Sequence, residues 1–289
     1  MRHVALHVAD GVVLEVSSLE GELVSQRPGQ PPVFDDAGSY VLKLRTADVA
    51  MDAASLTTLV EANTTGREDS PLREPLVTMK DGALEITGKL HKGVWVPFSM
   101  TTTVSASNEG VIRLHATKLK TAGVPVKGLL GMFGLEVGEL MKMPKDAGIS
   151  ADGDDLLLDA ARLVPPPRME GRVERVSVDG QRLTMKMTGD GRPPSQPASR
   201  PLPPARNYIY FFGGSVRFGK LTMSDADMQL IDADPRTPFD FFPAHYDKQL
   251  VAGYSRNTPR QGLQVFMPDY ASVARGGGRL KGPITTRPQ

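Results

Sequence analysis

The fold of this chain is decided by residues 84–104, which read LEITGKLHKGVWVPFSMTTTV. Apolar and polar residues alternate on both sides of the central HKG. The apolar face consists of Leu84, Ile86, Leu90, Val94, Val96, Phe98, Met100 and Val104. Alternation with a period of two is typical of strands with one buried face. The stretch therefore predicts two antiparallel strands whose apolar residues lie on the same side.

Neighbouring segments extend this pattern in both directions. A third strand is predicted over 111–119, where Ile112 and Leu114 continue the apolar face after the turn at 108–110. An alternating strand is also predicted over 40–46 and a hairpin over 173–187. The dipeptide Asp-Gly, which favours tight hairpins, separates strand-like runs at 10–11, 81–82 and 179–180. Strands therefore dominate the predicted structure.

Two helical regions interrupt the strands. The first is predicted over 53–63, with Asp52 as its N-cap. The second is predicted over 125–143, where Leu129, Leu130 and Phe133 share one face. The predicted fold class is therefore mainly β with short helices (α+β), with an antiparallel sheet packed on the helices.

The composition changes at residues 189–206, which contain six prolines and no hydrophobic periodicity, so a linker is predicted there. Beyond it lie 12 of the 16 Phe and Tyr residues. We predict a first domain over 1–188, a small aromatic-rich β module over 207–271 and a flexible basic tail over 272–289. The strands predicted in the module are 208–212, 215–223, 226–232, 248–255 and 262–267.

Composition also narrows the function classes. The formal net charge is only +1 and there is no cysteine. A nucleic-acid partner is not expected, because the usual electrostatic attraction is missing, and thiolate chemistry is excluded. The chain has neither an apolar run long enough to span a membrane nor a signal-peptide pattern. The expected location is the periplasm or envelope if a signal was removed, and the cytoplasm otherwise.

No motif for catalysis, metal or cofactor binding is present, so none of these is predicted. None of the five histidines has a motif partner. The least implausible nucleophile and base are Ser99 or Ser105 beside His115. Four aspartates, at 225, 227, 232 and 234, are the better candidates for calcium, but capping of turns explains them more simply.

Five segments constrain the family. They are Leu19–Leu23, Leu84–Gly88, Val96–Phe98, Ala122–Pro125 and Asp154–Asp159, the last leading to Leu163–Pro167. Their order over about 12–187 resembles bacterial relatives of the tubular lipid-binding (TULIP) superfamily, including the LmeA-like proteins. The resemblance implies a curved antiparallel sheet around a helix, with acyl chains held in the cleft between them. The helix predicted here is shorter than in that family and is broken by Gly134.

The resemblance implies a non-enzymatic protein that binds or transfers a lipid or another apolar ligand, with peripheral contact to a membrane. The residues that line the implied cleft are Leu84, Ile86, Val96, Phe98, Met100, Ile112, Leu114, Leu129, Leu130 and Phe133. Three alternatives remain open. The same residues form a dry core, the protein is a lipid hydrolase, or the aromatic C-terminal part docks on a protein partner.

Overall fold

A computed structural model describes residues 1–64, 72–91, 93–122, 124–125, 148–152, 155–189, 205–258, 262–280 and 282. The chain is mainly β, with few short helices and an antiparallel sheet that curls as a half-barrel. The predicted fold class is confirmed at this level. The predicted helix at 125–143 and linker at 189–206 lie almost entirely outside the described residues.

The elements follow one another along the chain as a series of strands with occasional helices. The strands are β1 (Arg2–Ala9), β2 (Val12–Ser25), β3 (Tyr40–Asp52), β4 (Leu72–Lys80), β5 (Ala83–His91), β6 (Trp95–Ala106), β7 (Ile112–Thr121), β8 (Val124–Pro125), β9 (Ile149–Asp152), β10 (Asp155–Leu158), β11 (Arg168–Glu170), β12 (Arg172–Asp179), β13 (Arg182–Thr188), β14 (Tyr208–Phe212), β15 (Ser215–Phe218), β16 (Leu221–Ser224), β17 (Asp227–Asp232), β18 (Phe239–Phe241), β19 (Tyr254–Asn257) and β20 (Leu263–Met267). The helices are α1 (Ala53–Thr64), α2 (Ala160–Leu163), α3 (Tyr246–Ala252) and α4 (Tyr270–Ala274), with 3₁₀ turns at Ala37–Ser39 and Pro243–His245.

The larger sheet has the strand order β12-β13-β3-β2-β1-β14-β17-β20-β19 in the described part of the chain, with β11 beside β3 and β18 beside β1. The first strand lies in the middle of this sheet. Arg2 of β1 pairs with Tyr208 of β14, so the aromatic C-terminal strands continue the sheet that begins at the N-terminus. The predicted division between 1–188 and 207–271 therefore does not coincide with a break in the sheet.

In the described residues, the smaller sheet has the strand order β4-β5-β6-β7-β10-β9, with β8 beside β7. The chain enters it after α1 and returns to the larger sheet at β11. The meander β5-β6-β7 confirms the three strands predicted from residues 84–119. The predicted Asp-Gly hairpins are confirmed as well, since Gly11, Gly82 and Gly180 all have positive φ between paired strands.

The two sheets meet at one end of the smaller sheet, which we call the near end. The turn at Gly110 lies there, and the carbonyl of Gly110 accepts a hydrogen bond of 2.8 Å from the amide of Val173 in β12. A Cβ on Gly110 would lie 2.7 Å from the Cβ of Arg172, and its φ is +81°. Only glycine fits this junction without displacement. The opposite end, with the turn between β5 and β6, is the far end.

Helix α1 packs beside both sheets and begins as predicted. The amide of Ser55 donates to the Asp52 carboxylate at 2.7 Å, which satisfies one of the free amides at the helix start. Thr57 Oγ1 in turn accepts a hydrogen bond of 3.0 Å from the amide of Val77 in β4. The helix therefore connects β3 to the smaller sheet through its polar side chains as well as its apolar ones.

Two of the predicted C-terminal strands are wrong. Residues 215–223 form the hairpin of β15 and β16 instead of one strand, because Gly219 takes a φ of +55° and reverses the chain. Residues 248–255 are mostly helix α3, which follows a 3₁₀ turn that has Pro243 at its start. Gln249 in this helix is fully buried and bonds to the backbone of Phe242 and Pro268.

Candidate functional site

The inner faces of the two sheets form two clusters of buried apolar residues, which are linked by Ile86 and Leu156 because both pack against each cluster. The larger one, which we call the main core, contains apolar residues of both sheets, α1, α2 and the hairpin of β15 and β16. It includes Phe239, Phe241 and Met267, which are completely buried. The near half of the smaller sheet contributes Val77 and Met79 to this core. The two sheets are therefore held together by a continuous apolar layer.

The second cluster lies on the far half of the smaller sheet, and we call it the distal cluster. Its four buried members are Leu90, Phe98, Met100 and Leu119, and the partly buried residues packed against them are Leu72, Ile86, Ala116 and Leu156. The buried members are only 2–7% exposed. Among the described residues, every member of this cluster comes from β4, β5, β6, β7 or β10 of the same sheet.

The structure divides the predicted cleft residues between these clusters. Leu84, Ile112 and Leu114 lie in the main core, whereas Phe98 and Met100 lie in the distal cluster. Ile86 contacts both clusters, and Val96 is half-buried opposite Leu90. The remaining predicted residues, Leu129, Leu130 and Phe133, are outside the described residues.

Leu119 is a buried member of the distal cluster that was not predicted from the sequence. A β-bulge in β7 lets Thr102 pair with Ala116 while Thr101 pairs with Lys118, so Thr117 is an additional residue. The bulge shifts the alternation by one position and turns Leu119 inward. The only signal in the sequence is that Leu119 is an isolated apolar residue between two lysines, out of phase with Ile112 and Leu114.

A polar cleft of about 160 Å³ lies away from the distal cluster, at the near end of the smaller sheet. It is lined by residues of the 109–111 turn, β9, β10 and α2, including Ser150, Asp159 and Arg162. Asp159 and Arg162 form an ion pair of 2.9 Å across it. The charged residues in its lining distinguish this cleft from the distal cluster.

The outer face of the smaller sheet contains the histidine that the hydrolase alternative requires. His115 Nδ1 lies 2.7 Å from the Asp155 carboxylate, which orients the ring. Ser99 is not brought near His115, because it pairs with Lys120, five residues further along β7 and roughly 15 Å away. Ser105 is opposite Arg113 and lies closer, on the exposed outer face. His115 alternates with Leu114, so it faces away from both apolar clusters.

A second histidine–aspartate pair, which no sequence motif indicates, connects β1 to β18 in the larger sheet. His7 Nε2 lies 2.5 Å from Asp240 Oδ1, and the His7 ring stacks on Phe242 with 5.2 Å between centroids. His7 and Asp240 are 233 residues apart, so only the parallel pairing of β1 and β18 brings them together.

Two carboxylates beside His7 differ in their pKa. Burial opposes the ionisation of Asp240, but hydrogen bonds to His7 and to the Ala271 amide outweigh it and lower its pKa. Burial raises the pKa of Asp269, and the nearby charges of Asp240 and Asp234 add to that effect. The group stabilises the packing of α4 on β1 and β18.

The most strongly perturbed carboxylate among these strands is Asp232, which is 4% exposed. Burial raises its pKa to about 6, although hydrogen bonds from Asn207 and from the Asp234 amide favour the charged form. The aspartates predicted as calcium candidates do not converge. In the described ranges, no three His, Asp or Glu side chains form a group that could hold a metal ion.

None of the helices in the described part of the chain has the length and apolar character that a membrane crossing requires. Comparison with protein-family models, curated proteins and solved structures gave no match.

Proposed function

We propose that this protein binds an apolar chain, such as the acyl chain of a lipid, against the distal cluster of the smaller sheet. The observation that supports the proposal is which strands contribute the residues of that cluster. Its members all come from one sheet within the described residues, whereas the main core is built from facing layers. The buried members are only 2–7% exposed, so they are already screened from water without a ligand. In this proposal, an apolar chain displaces the contacts that now screen this face and packs on it as a second layer does on a single sheet.

The energetics of such a site favour acyl chains. Removing a methylene group from water contributes about 0.8 kcal/mol, so about ten methylenes on this face contribute roughly 8 kcal/mol before the cost of immobilising the ligand. Met100 and Phe98 lie at the centre of the cluster on the same strand. Methionine adapts its shape to flexible apolar ligands, which suits a site that accepts more than one chain length.

The division between inner and outer faces supports binding over hydrolysis. The His115 and Asp155 pair lies on the outer face, while the acyl chain would lie on the inner face with Phe98. A hydrolase would need its nucleophile and base within hydrogen-bond reach on the side that holds the substrate. We therefore expect the ligand to be released unchanged.

The test compares two methionines that are both 3% exposed in the same sheet, Met100 in the distal cluster and Met79 in the main core. We expect purified protein to retain lipid in native mass spectrometry. Met100→Ala should weaken the binding of a fluorescent fatty acid by about five- to tenfold, because contacts with the chain are lost. Met79→Ala should leave that affinity unchanged and lower only the free energy of unfolding.

The proposal fails if native spectra contain only protein without ligand and the fluorescent fatty acid does not bind. Equal effects of both substitutions on stability, with no effect on fatty-acid binding, would support the dry core instead. The hydrolase alternative is tested separately with His115→Ala, since unchanged hydrolysis of a fatty-acid ester in this variant eliminates it.

A further inference from the structure

The far end of the smaller sheet has an exposed apolar and aromatic tip. Val94, in the turn between β5 and β6, is 67% exposed. Next to it, the guanidinium of Arg73 lies 4.2 Å from the centroid of the Trp95 ring. The centroids of the His91 and Trp95 rings are 5.0 Å apart. We call Arg73, His91, Val94 and Trp95 the tip surface.

The distal cluster approaches the tip surface along the inner face, whereas alternation places Arg73, His91 and Trp95 on the outer face at the same end of the sheet. Leu90 of that cluster pairs with Val96, and the next pair towards the turn is His91 with Trp95. Leu72 pairs with Leu90 from the other side. Apolar side chains therefore run along the inner face of the sheet up to the turn that exposes Val94.

The strand ends around the tip have an excess of positive charge. In the described residues 72–74, 89–91, 93–97 and 120–122, the charged side chains are Arg73, Lys89, Lys120 and Glu74. Three cations and one carboxylate give a local formal charge of +2 from the arginine, lysine and glutamate side chains. Lys89 and Glu74 pair at 2.7 Å. The cations favour a negatively charged surface as the partner of the tip.

We propose that the tip surface docks on a lipid bilayer with anionic headgroups. Tryptophan with a neighbouring cation is typical of residues at the boundary between headgroups and acyl chains, and basic residues near an anionic bilayer strengthen the association. Val94 inserts below the headgroups in this arrangement. The docking extends the proposed function, because a lipid held by the distal cluster would enter from the membrane beside it.

The chain contains one tryptophan, so its tryptophan fluorescence reports on the tip alone. We expect the emission of Trp95 to shift to shorter wavelength when the protein is mixed with vesicles of phosphatidylcholine and phosphatidylglycerol. Vesicles of phosphatidylcholine alone should give a weaker shift, and added salt should reduce the binding to anionic vesicles. Sedimentation of the protein with the vesicles measures the affinity independently of fluorescence.

Two exposed valines provide a matched pair of variants. Val94→Asp should weaken vesicle binding by at least about tenfold, because a carboxylate at the tip opposes insertion. Val251→Asp, at a 72% exposed position on α3, should leave vesicle binding unchanged. Arg73→Ala should weaken binding by about fivefold, the expected contribution of one basic residue near an anionic surface.

The docking proposal is rejected if anionic vesicles neither shift the emission nor sediment the protein. Equal losses in Val94→Asp and Val251→Asp would also reject it, since the contact would then not be specific to the tip. Failure of the two proposals can be distinguished. Vesicle binding by a protein that retains no lipid supports docking alone, whereas retained lipid without vesicle binding supports the apolar site alone.

Discussion

The larger and smaller sheets show the same alternation of apolar and polar residues, but their apolar faces are covered differently. The larger sheet packs against α1, the near half of the smaller sheet and the hairpin of β15 and β16. The four buried members of the distal cluster lie on the far half of the smaller sheet, whereas Leu156, which packs against them, pairs with Leu114 nearer the junction. Alternation therefore predicts that a face is buried, but not what buries it.

The difference follows from the connectivity of the chain. The chain enters the smaller sheet at Leu72, which pairs with Leu90 at the far end, and returns to the larger sheet at β11. Among the described residues, the hydrogen bond between Gly110 and Val173 joins the near end to β12. The far end extends beyond that junction, and its buried apolar residues form the distal cluster. We therefore expect a substitution in the distal cluster to lower the free energy of unfolding less than the same substitution in the main core.

The largest expected effect comes from comparing two phenylalanines. Phe241 is completely buried in the main core, and Phe98 is 7% exposed in the distal cluster. Phe241→Ala should lower the free energy of unfolding by about 3–5 kcal/mol, because it leaves a cavity among close-packed neighbours. The decrease in the free energy of unfolding should be about 1–2 kcal/mol smaller for Phe98→Ala than for Phe241→Ala. Urea unfolding of both variants, with bound lipid removed, measures the difference.

Equal decreases in the free energy of unfolding of the two variants would contradict this expectation, because the distal cluster would then be packed as tightly as the main core. Urea unfolding in the presence of a fatty acid provides a second test of the same two variants. Ligand should stabilise the wild type against urea and should stabilise Phe98→Ala less, whereas Phe241→Ala should gain as much as the wild type.

Local signals in the sequence predicted much of the fold. The strands and hairpins around Gly11, Gly82 and Gly180 follow from alternation and turn chemistry, and α1 follows from its cap at Asp52. These features depend on residues close together in the chain. The continuation of the larger sheet into the aromatic strands depends instead on the pairing of Arg2 with Tyr208, which no local pattern encodes.

The candidate site was predicted only in part for a related reason. Alternation assigned Leu84, Phe98 and Met100 to one face correctly, but it could not divide that face between two clusters, because the division depends on where the larger sheet packs. Leu119 was missed because a bulge changes the phase of β7. The His7 and Asp240 contact is a consequence of long-range strand pairing.

A second prediction uses Asp232 to test how well the larger sheet is sealed from water. Its pKa is about 6 in the folded protein, against an ordinary value of 3.8. The folded state therefore binds more protons than the unfolded state between these values, and stability falls as pH rises through this window. The total loss is up to about 3 kcal/mol. Above about pH 6 the loss is complete.

Urea unfolding at several pH values, with Asp232→Asn as the control, isolates this contribution. Other carboxylates also titrate, and the lowered pKa of Asp240 acts in the opposite direction, so the informative quantity is the difference between wild type and variant. That difference should change across pH 4–6. A constant difference across that window would mean that water reaches Asp232 and that this end of the larger sheet is open.

The smallest expected effect tests the junction between the sheets with two glycines of positive φ. Gly110→Ala places a methyl group against Arg172, whereas Gly82→Ala places one in open space at another turn of the same sheet. Gly82→Ala should cost about 1 kcal/mol from backbone strain alone, and Gly110→Ala about 2 kcal/mol because the junction must also shift. The difference between the two free energies of unfolding therefore measures how tightly the near end is held to β12. Equal costs would show that the smaller sheet shifts at this turn without loss of stability, and the near end would then not be held tightly to β12.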